Sequence, residues 1–271
     1  MEATGNENMI RRDTLEGRVV DSNNGARAPK EESRGLSGWL AGKYNRLHRT
    51  IAPARVPATA SRDFRFVCDL ASIPSDINEH LELMFVETLL LRPRLILELG
   101  VRGGASTNIF QRAAAVSEAR IISVDIAECS AVSQYQLWEF VHSDDIEFAG
   151  RFSEFCRRRD IPPCIDLLFI DTSHYYDHSA QEIEAWFPFL SPRGKVIFHD
   201  TNLRMIGPRR DGCFQLSWDN QRGVIRAIED YLGVSIDESK PFSDQIGDWM
   251  VRHWPNCNGL TIMDRIGQTS Q

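Results

Sequence analysis

Five short apolar runs between residues 94 and 199 constrain this chain more than any other feature: RLILEL (94–99), RIISVD (120–125), LWEFVH (137–142), DLLFID (166–171) and GKVIFH (194–199). Between them lie segments of helical spacing at 104–117, 146–160 and 177–190, with a short turn near 130–136. Strands that are apolar on both faces need cover on both, and a helix between consecutive strands carries the chain back so that they run parallel. The pattern therefore predicts an α/β fold with a doubly wound, mostly parallel sheet. A helix over SDINEHLELMFVETLLLRP, capped by Ser75 or Asp76 and closed before Pro93, leads into the first strand, and another at 220–232 follows the last. The end of the chain departs from this rhythm. DWMVRHW and GLTIMDR, separated by PNCN, read as an antiparallel hairpin added to the sheet.

The preceding residues are of another kind. Residues 1–33 are rich in Asn, Gly, Glu and Arg without an apolar period, as in a mobile tail. Over 34–52, Leu36, Leu40, Tyr44, Leu47 and Ile51 recur at helical steps. Such an amphipathic helix needs a surface: its own domain, the rim of an active site as a cap, or a second copy in a homo-oligomer. The prolines of APARVPATA (52–60) predict an extended linker. The expected division is thus a tail (1–33), a helix and linker (34–75) and a catalytic-sized domain (76–271).

Composition narrows the function. With 271 residues and 42% apolar content the chain can bury one sizeable core. No window approaches ~18 apolar residues, and the N-terminus lacks the apolar core of a signal peptide, so a cytoplasmic protein with no membrane partner is expected. The first sixty residues carry a slight basic excess, yet the net charge is −7. An acidic body disfavours nucleic acid, whose readers need clustered positive charge. The six cysteines form no C-x-x-C pair, and Cys68 and Cys164 sit in apolar surroundings as small core residues do.

The chemistry concentrates where strands end. The first closes in ELGVRGGAST, where Gly100, Gly103, Gly104 and Ser106 form a tight turn that brings backbone N–H groups and a helix N-terminus to a ligand. A dinucleotide fold prefers G-x-G-x-x-G. Here the spacing is G-x-x-G-G, and Glu98 precedes it by two residues, repelling a pyrophosphate but suiting a cationic ligand with an amino-acid tail. That points to S-adenosylmethionine rather than NAD. Asp125 ends the second strand where a carboxylate can accept both ribose hydroxyls, and Ser143 and Asp144 of SDD follow the third where the adenine amine would lie. One such acid is as readily a helix cap; three in order converge on one crevice.

LELGVRGGAS, VDI, SDD, LLFIDTSHYYDH, GKVIFHDT and WDNQRGVIRAIEDYL together resemble the class I S-adenosylmethionine-dependent methyltransferases over roughly 75–265. Within them the likeness is to the metal-dependent small-molecule O-methyltransferases, of the macrolide-sugar and cephalosporin-pathway branch. The resemblance implies a seven-stranded Rossmann-like sheet and a Mg²⁺ ion held by Asp171 and Asp200 with the neighbouring His199. His199 departs from the branch, which commonly has an acid there. Imidazole is a softer donor, so His199 ligates weakly, stands behind the ligands, or shifts preference toward Mn²⁺ or Fe²⁺. Asn202 is a further oxygen candidate. Alternatively, Asp200 caps the following loop and binds no ion.

His174 lies three residues after Asp171, where catechol-type relatives carry a lysine and the sugar-modifying branch a histidine. Lysine occurs only at positions 30, 43, 195 and 240, so this loop cannot supply the catechol arrangement. A histidine suits removal of a proton from a hydroxyl acidified by the metal, followed by in-line attack on the sulfonium methyl. The other role open to it is structural, bonding a neighbouring carbonyl. Tyr175, Tyr176 and His178 read as packing or substrate-wall residues. The long polar stretch 202–223 offers Arg209, Arg210, Trp218 and Asp219 to an acceptor pocket, or is a surface insertion. The expected activity is methyl transfer to a hydroxyl of a sugar or sugar-bearing small metabolite, in natural-product biosynthesis. The alternatives are a catechol-type aromatic O-methyltransferase and a catalytically silent S-adenosylmethionine-binding protein.

Overall fold

The computed structural model describes residues 58–203, 206–208, 214–216 and 222–266. The expected tail (1–33), the helix over 34–52 and the residues Arg209, Arg210, Trp218 and Asp219 lie outside the described residues.

The five predicted strands form as β1 (Leu95–Leu99), β2 (Arg120–Asp125), β3 (Trp138–His142), β4 (Ile165–Ile170) and β5 (Leu190–His199). After them come a short ladder, β6 (Ile206–Pro208) with β7 (Phe214–Leu216), and then β8 (Phe242–Ile246), β9 (Trp249–Trp254) and β10 (Leu260–Arg265). The main sheet has the order β3-β2-β1-β4-β5-β10-β9-β8. Its first five strands are parallel and its last three antiparallel. The expected hairpin is β9–β10, but the sheet has eight strands among the described residues rather than seven. The extra one is β8, an edge strand whose three central residues, Ser243, Asp244 and Gln245, are exposed and polar, so that only Phe242 and Ile246 at its ends give an apolar signal.

Alternate side chains along β1 and β4 point to opposite faces, as the two-residue period of a strand requires. Leu95, Leu97, Leu99, Leu168 and Ile170 join one core; Ile96, Leu167 and Phe169 join the other. The second face is covered by α1 (Ala58–Ala71), α2 (Leu81–Leu91) and α3 (Ala105–Ser117). The first is covered by α4 (Asp145–Ala149), α5 (Phe152–Arg157), α6 (Tyr176–Trp186) and α7 (Gly223–Leu232).

Four local readings are corrected. Helix α1 begins at Ala58, within the segment expected to be an extended linker, because a proline is tolerated immediately ahead of a helix and the constraint ends at Pro57. The helix expected from Ser75 or Asp76 opens instead with a 3₁₀ turn, Asn78–His80, before α2. The helix expected over 146–160 is two, broken at Gly150 and Arg151, where the backbone of Arg151 leaves helical geometry. Of the cysteines, Cys129 and Cys156 are the buried ones, whereas Cys68 and Cys164 are half-buried; all five described thiols are free.

The order of strands places a switch between β1 and β4, since successive connections leave β1 in opposite directions. Ligands of open α/β sheets bind outside the carboxyl ends of strands at such a point. Gly100 is at this junction with φ +87°, and a Cβ built on it would lie 1.9 Å from the Asp171 carbonyl oxygen. Both the left-handed conformation and the close approach demand glycine. Gly100→Ala is therefore expected to cost about 3 to 5 kcal/mol of stability, read by urea unfolding; an unchanged midpoint would contradict the packing described here.

Candidate active site

The register of β4 and β5 brings the predicted ion-binding residues together. Ile170 pairs with Phe198, so Asp171 and His199 follow side by side. The Asp171 N–H donates to the Leu99 carbonyl at 2.9 Å, which ties the strand end to β1. His174 Nε2 lies 2.7 Å from Asp200 Oδ2 and 3.3 Å from Asp171 Oδ1. His199 Nδ1 lies 3.3 Å from the same Asp171 oxygen and 3.4 Å from Asp200 Oδ2. Its other ring nitrogen donates to the Asp76 carbonyl at 3.0 Å, leaving Nδ1 turned toward the carboxylates.

Two carboxylates so enclosed are costly unless cations balance them. Burial alone would lower the pKa of His174, but hydrogen bonds and charge from Asp171 and Asp200 outweigh it and push the imidazole up to about 9. His199 is raised well above its ordinary value by the same pair, again against burial. Burial raises Asp171 and Asp200, but the two imidazoles prevail and hold both carboxyls below the ordinary range. Without a metal, the site is neutralised by protonated histidines.

The backbone pays for this convergence. His174 has φ 63° and Asp200 φ 56°, left-handed values that cost a residue with a Cβ about 1–3 kcal/mol. Surrounding contacts enforce them. A Cβ on Gly223, at the start of α7, would lie 2.1 Å from the His174 carbonyl oxygen, so that helix is seated directly against the loop. Gly223→Ala is expected to displace His174 and lower turnover at least tenfold while the sheet remains folded, as measured by steady-state kinetics beside circular dichroism.

The other strand ends also converge, with two corrections. Asp125 Oδ2 accepts from the N–H groups of Val101 (2.8 Å) and Arg102 (3.0 Å), and Oδ1 from Ala127 (2.8 Å). Burial raises its pKa, but these N–H groups, with the nearby His142, hold it below the ordinary range. Asp125 thus joins the Gly100–Gly104 turn to the second strand end, with three of its roughly four lone-pair sites already in use. Ser143 accepts from Arg151 Nη2 at 2.7 Å, and Asp144 is exposed. Asp144 also caps α4, accepting from the Glu147 N–H at 2.9 Å. Glu98, expected to face a cationic ligand, is instead 0% exposed. Ser106 (2.6 Å), Thr107 (2.9 Å) and Ser123 (2.5 Å) donate to its oxygens, so the carboxyl clamps α3 and β2 to β1. Burial pushes it up to about 7, against those hydroxyls. Ser106 is likewise buried, occupied with Glu98 rather than open to a ligand.

Comparison with known proteins follows this geometry. Residues 97–201 match the family model of the methyltransferase domain. Over those residues the chain is similar to a methyltransferase domain. Uncharacterized protein y4gI of Sinorhizobium fredii is 35% identical over 136 residues, which are 43% of this chain and 14% of that protein. The chain therefore spans about one seventh of that relative's length. Among solved structures, the MycE methyltransferase from the mycinamycin biosynthetic pathway, in complex with Mg and SAH, superposes with a TM-score of 0.51. It is 16% identical, covering 93% of this chain and 67% of that chain. Cofactor-bound Rv0187 from MTB gives 0.51 at 13% identity, with 88% and 100% covered. These two likenesses are of fold.

The strand ends at the switch point offer a donor set that fits a divalent cation. Asp171, His174 and Asp200 each place one ligand atom within 4.8 Å of the others. Asp200 Oδ1 is buried without a hydrogen-bond partner, an oxygen for which a cation would supply one. Asn202 donates from its amide nitrogen to the Pro255 carbonyl at 2.7 Å. Tyr176 donates to Asp230 at 2.6 Å, packs under Arg226 and rests against the core of the first face. His178, expected as a packing or substrate-wall residue, lies in a second polar cluster with Asp145 and Glu182, two residues the sequence analysis does not single out. The only signal was the four-residue spacing of His178 and Glu182, which puts both on one face of α6.

Proposed function

We propose that this chain is an S-adenosylmethionine-dependent O-methyltransferase acting on a hydroxyl of a sugar or sugar-bearing small metabolite, within natural-product biosynthesis. The observation that carries this reading is the meeting of Asp171, His174, His199 and Asp200 at the mouth of the β1–β4 switch point, beside the Gly100 turn. Gly100, Gly103 and Gly104 would seat the methionine tail of the donor, Asp125 its ribose, and Ser143 with Asp144 its adenine edge. Asp171 and Asp200 would hold Mg²⁺, with His199 Nδ1 as a nitrogen donor that favours Mn²⁺ or Fe²⁺ as alternatives. When bound, the ion supplies positive charge that lowers the pKa of the acceptor hydroxyl.

The chain's own residues do the rest. His174, relieved of its proton when the carboxylates are otherwise neutralised, accepts the hydroxyl proton at Nε2. The Asp171 and Asp200 carboxylates orient that nitrogen, and the Gly223 contact holds the backbone from which the ring projects. Most of the acceleration then comes from alignment of oxygen, methyl carbon and sulfur. A histidine rather than a lysine at this place supports a sugar over a catechol.

The test is release of S-adenosylhomocysteine with deoxysugar-bearing and vicinal-phenol acceptors, each with Mg²⁺, Mn²⁺ or EDTA. Turnover of sugars that EDTA abolishes is expected. Preference for phenols would assign the catechol-type activity, and binding of S-adenosylmethionine without turnover on any acceptor would assign a silent binding protein.

A further inference from the structure

Behind the loop that carries His174 lies the second cluster. Asp145 at the start of α4 and Glu182 on α6 are buried, and His178 on α6 is about one quarter exposed at its side chain. Each presents one ligand atom within 4.8 Å of the others, and His178 Nε2 is 3.0 Å from Asp145 Oδ1. His178 Nδ1 is 2.7 Å from Ser173 Oγ, and Thr172 donates to Glu182 Oε1 at 2.6 Å. With the ring proton on Nδ1 and donated to Ser173, Nε2 turns its lone pair toward the carboxylates. A hydrogen-bonded second ring nitrogen is the arrangement that metal-bound histidines show.

The cluster is also short of partners. Asp145 Oδ2 and Glu182 Oε2 are both buried with no hydrogen-bond partner, and their residues are more than nine-tenths buried. Burial first, and then the Asp145 charge, push Glu182 up to about 8, so a second carboxylate charge is disfavoured in this pocket unless a cation meets it. One proton shared between the carboxylates would satisfy a single pair of oxygens. A cation about 2.1 Å from each donor, retaining water, satisfies more of them at once.

We propose that Asp145, His178 and Glu182 form a second divalent-cation site, suited by its one imidazole and two carboxylates to Zn²⁺ or Mn²⁺. It is distinct from the Asp171–Asp200 pair and does not depend on the methyl-transfer reading. Its outer partners, Thr172 and Ser173, are the two residues that lead from Asp171 to His174, so an ion there would hold the loop in place from behind.

The experiment uses the full chain carrying Asp200→Asn, which disables the first site. After chelation, Zn²⁺ or Mn²⁺ alone is titrated and bound metal counted by mass spectrometry, with thermal melting in parallel. One equivalent bound, with a rise in Tm, is expected. Adding Glu182→Gln or Asp145→Asn should weaken uptake at least tenfold and remove the rise in Tm, while circular dichroism confirms the fold. The proposal is overturned if the Asp200→Asn protein takes up no ion, or takes it up equally with and without Glu182. No uptake together with unchanged or higher stability in Glu182→Gln would assign the cluster to a shared proton.

Discussion

His174→Ala is expected to lower kcat by about 10² to 10⁴-fold while leaving the affinity for S-adenosylmethionine within a few-fold of the parent. The separation follows from position. His174 reaches Asp171 and Asp200, whereas the residues proposed to meet the donor's ribose and adenine, Asp125, Ser143 and Asp144, stand at the ends of β2 and β3 on the other side of β1. Steady-state kinetics paired with calorimetric binding of the cofactor distinguish the outcomes. A proportional loss of binding and turnover would make the residue a scaffold, since a structural support fails for both ligands alike. The conservative His174→Gln keeps a hydrogen-bonding side chain but offers no basic nitrogen, and should be as inactive as alanine.

The metal-free protein should lose stability between pH 6.5 and 9. His174 and His178 are each raised from 6.5 to about 9, and Glu182 from 4.5 to about 8. In His174 burial opposes the rise and the two aspartates overcome it; in His178 the Asp145 hydrogen bond leads; in Glu182 burial leads. A group raised by folding binds its proton more tightly in the native state. Its contribution is complete below its unfolded pKa and disappears as pH climbs through the folded value. All three act in one direction over this window, and the depressed Asp171 and Asp200 lose their contribution only at much lower pH. His174 alone accounts for about 3 kcal/mol, or roughly 6–12 °C in Tm for a domain of this size. Melting curves at closely spaced pH values, with and without saturating Mn²⁺, measure it. The decline should flatten with the ion, because a bound divalent cation replaces the imidazolium protons. A pH-independent Tm in the metal-free protein would remove the charge balance described for the site.

The sequence made the parallel half of the sheet legible because β1, β2, β4 and the end of β5 are short, apolar and bounded by turn residues, leaving each little alternative to a buried strand. It did not disclose β8, whose central residues are exposed and polar and which pairs with β9 alone at the sheet edge. Nor did it disclose α1, hidden by the prolines before it. In the site, strand-end acids were legible because charge after a greasy run is expensive without a purpose, and Asp171, His199 and Asp200 meet as that logic requires. Glu98 obeyed the same pattern for another reason: three hydroxyls from α3 and β2 bury it, and none of them adjoins it in sequence. Asp145 and His178 are 33 residues apart and become neighbours only when α4 and α6 pack on one face.

The most direct measurement is an anomalous difference map from crystals grown with S-adenosylhomocysteine and Mn²⁺. A peak bridging the Asp171 and Asp200 carboxylates, with the nucleoside lying along Asp125 and the glycine turn, is the result expected. A fully occupied nucleoside with no peak between those two aspartates would contradict metal-assisted methyl transfer at this site.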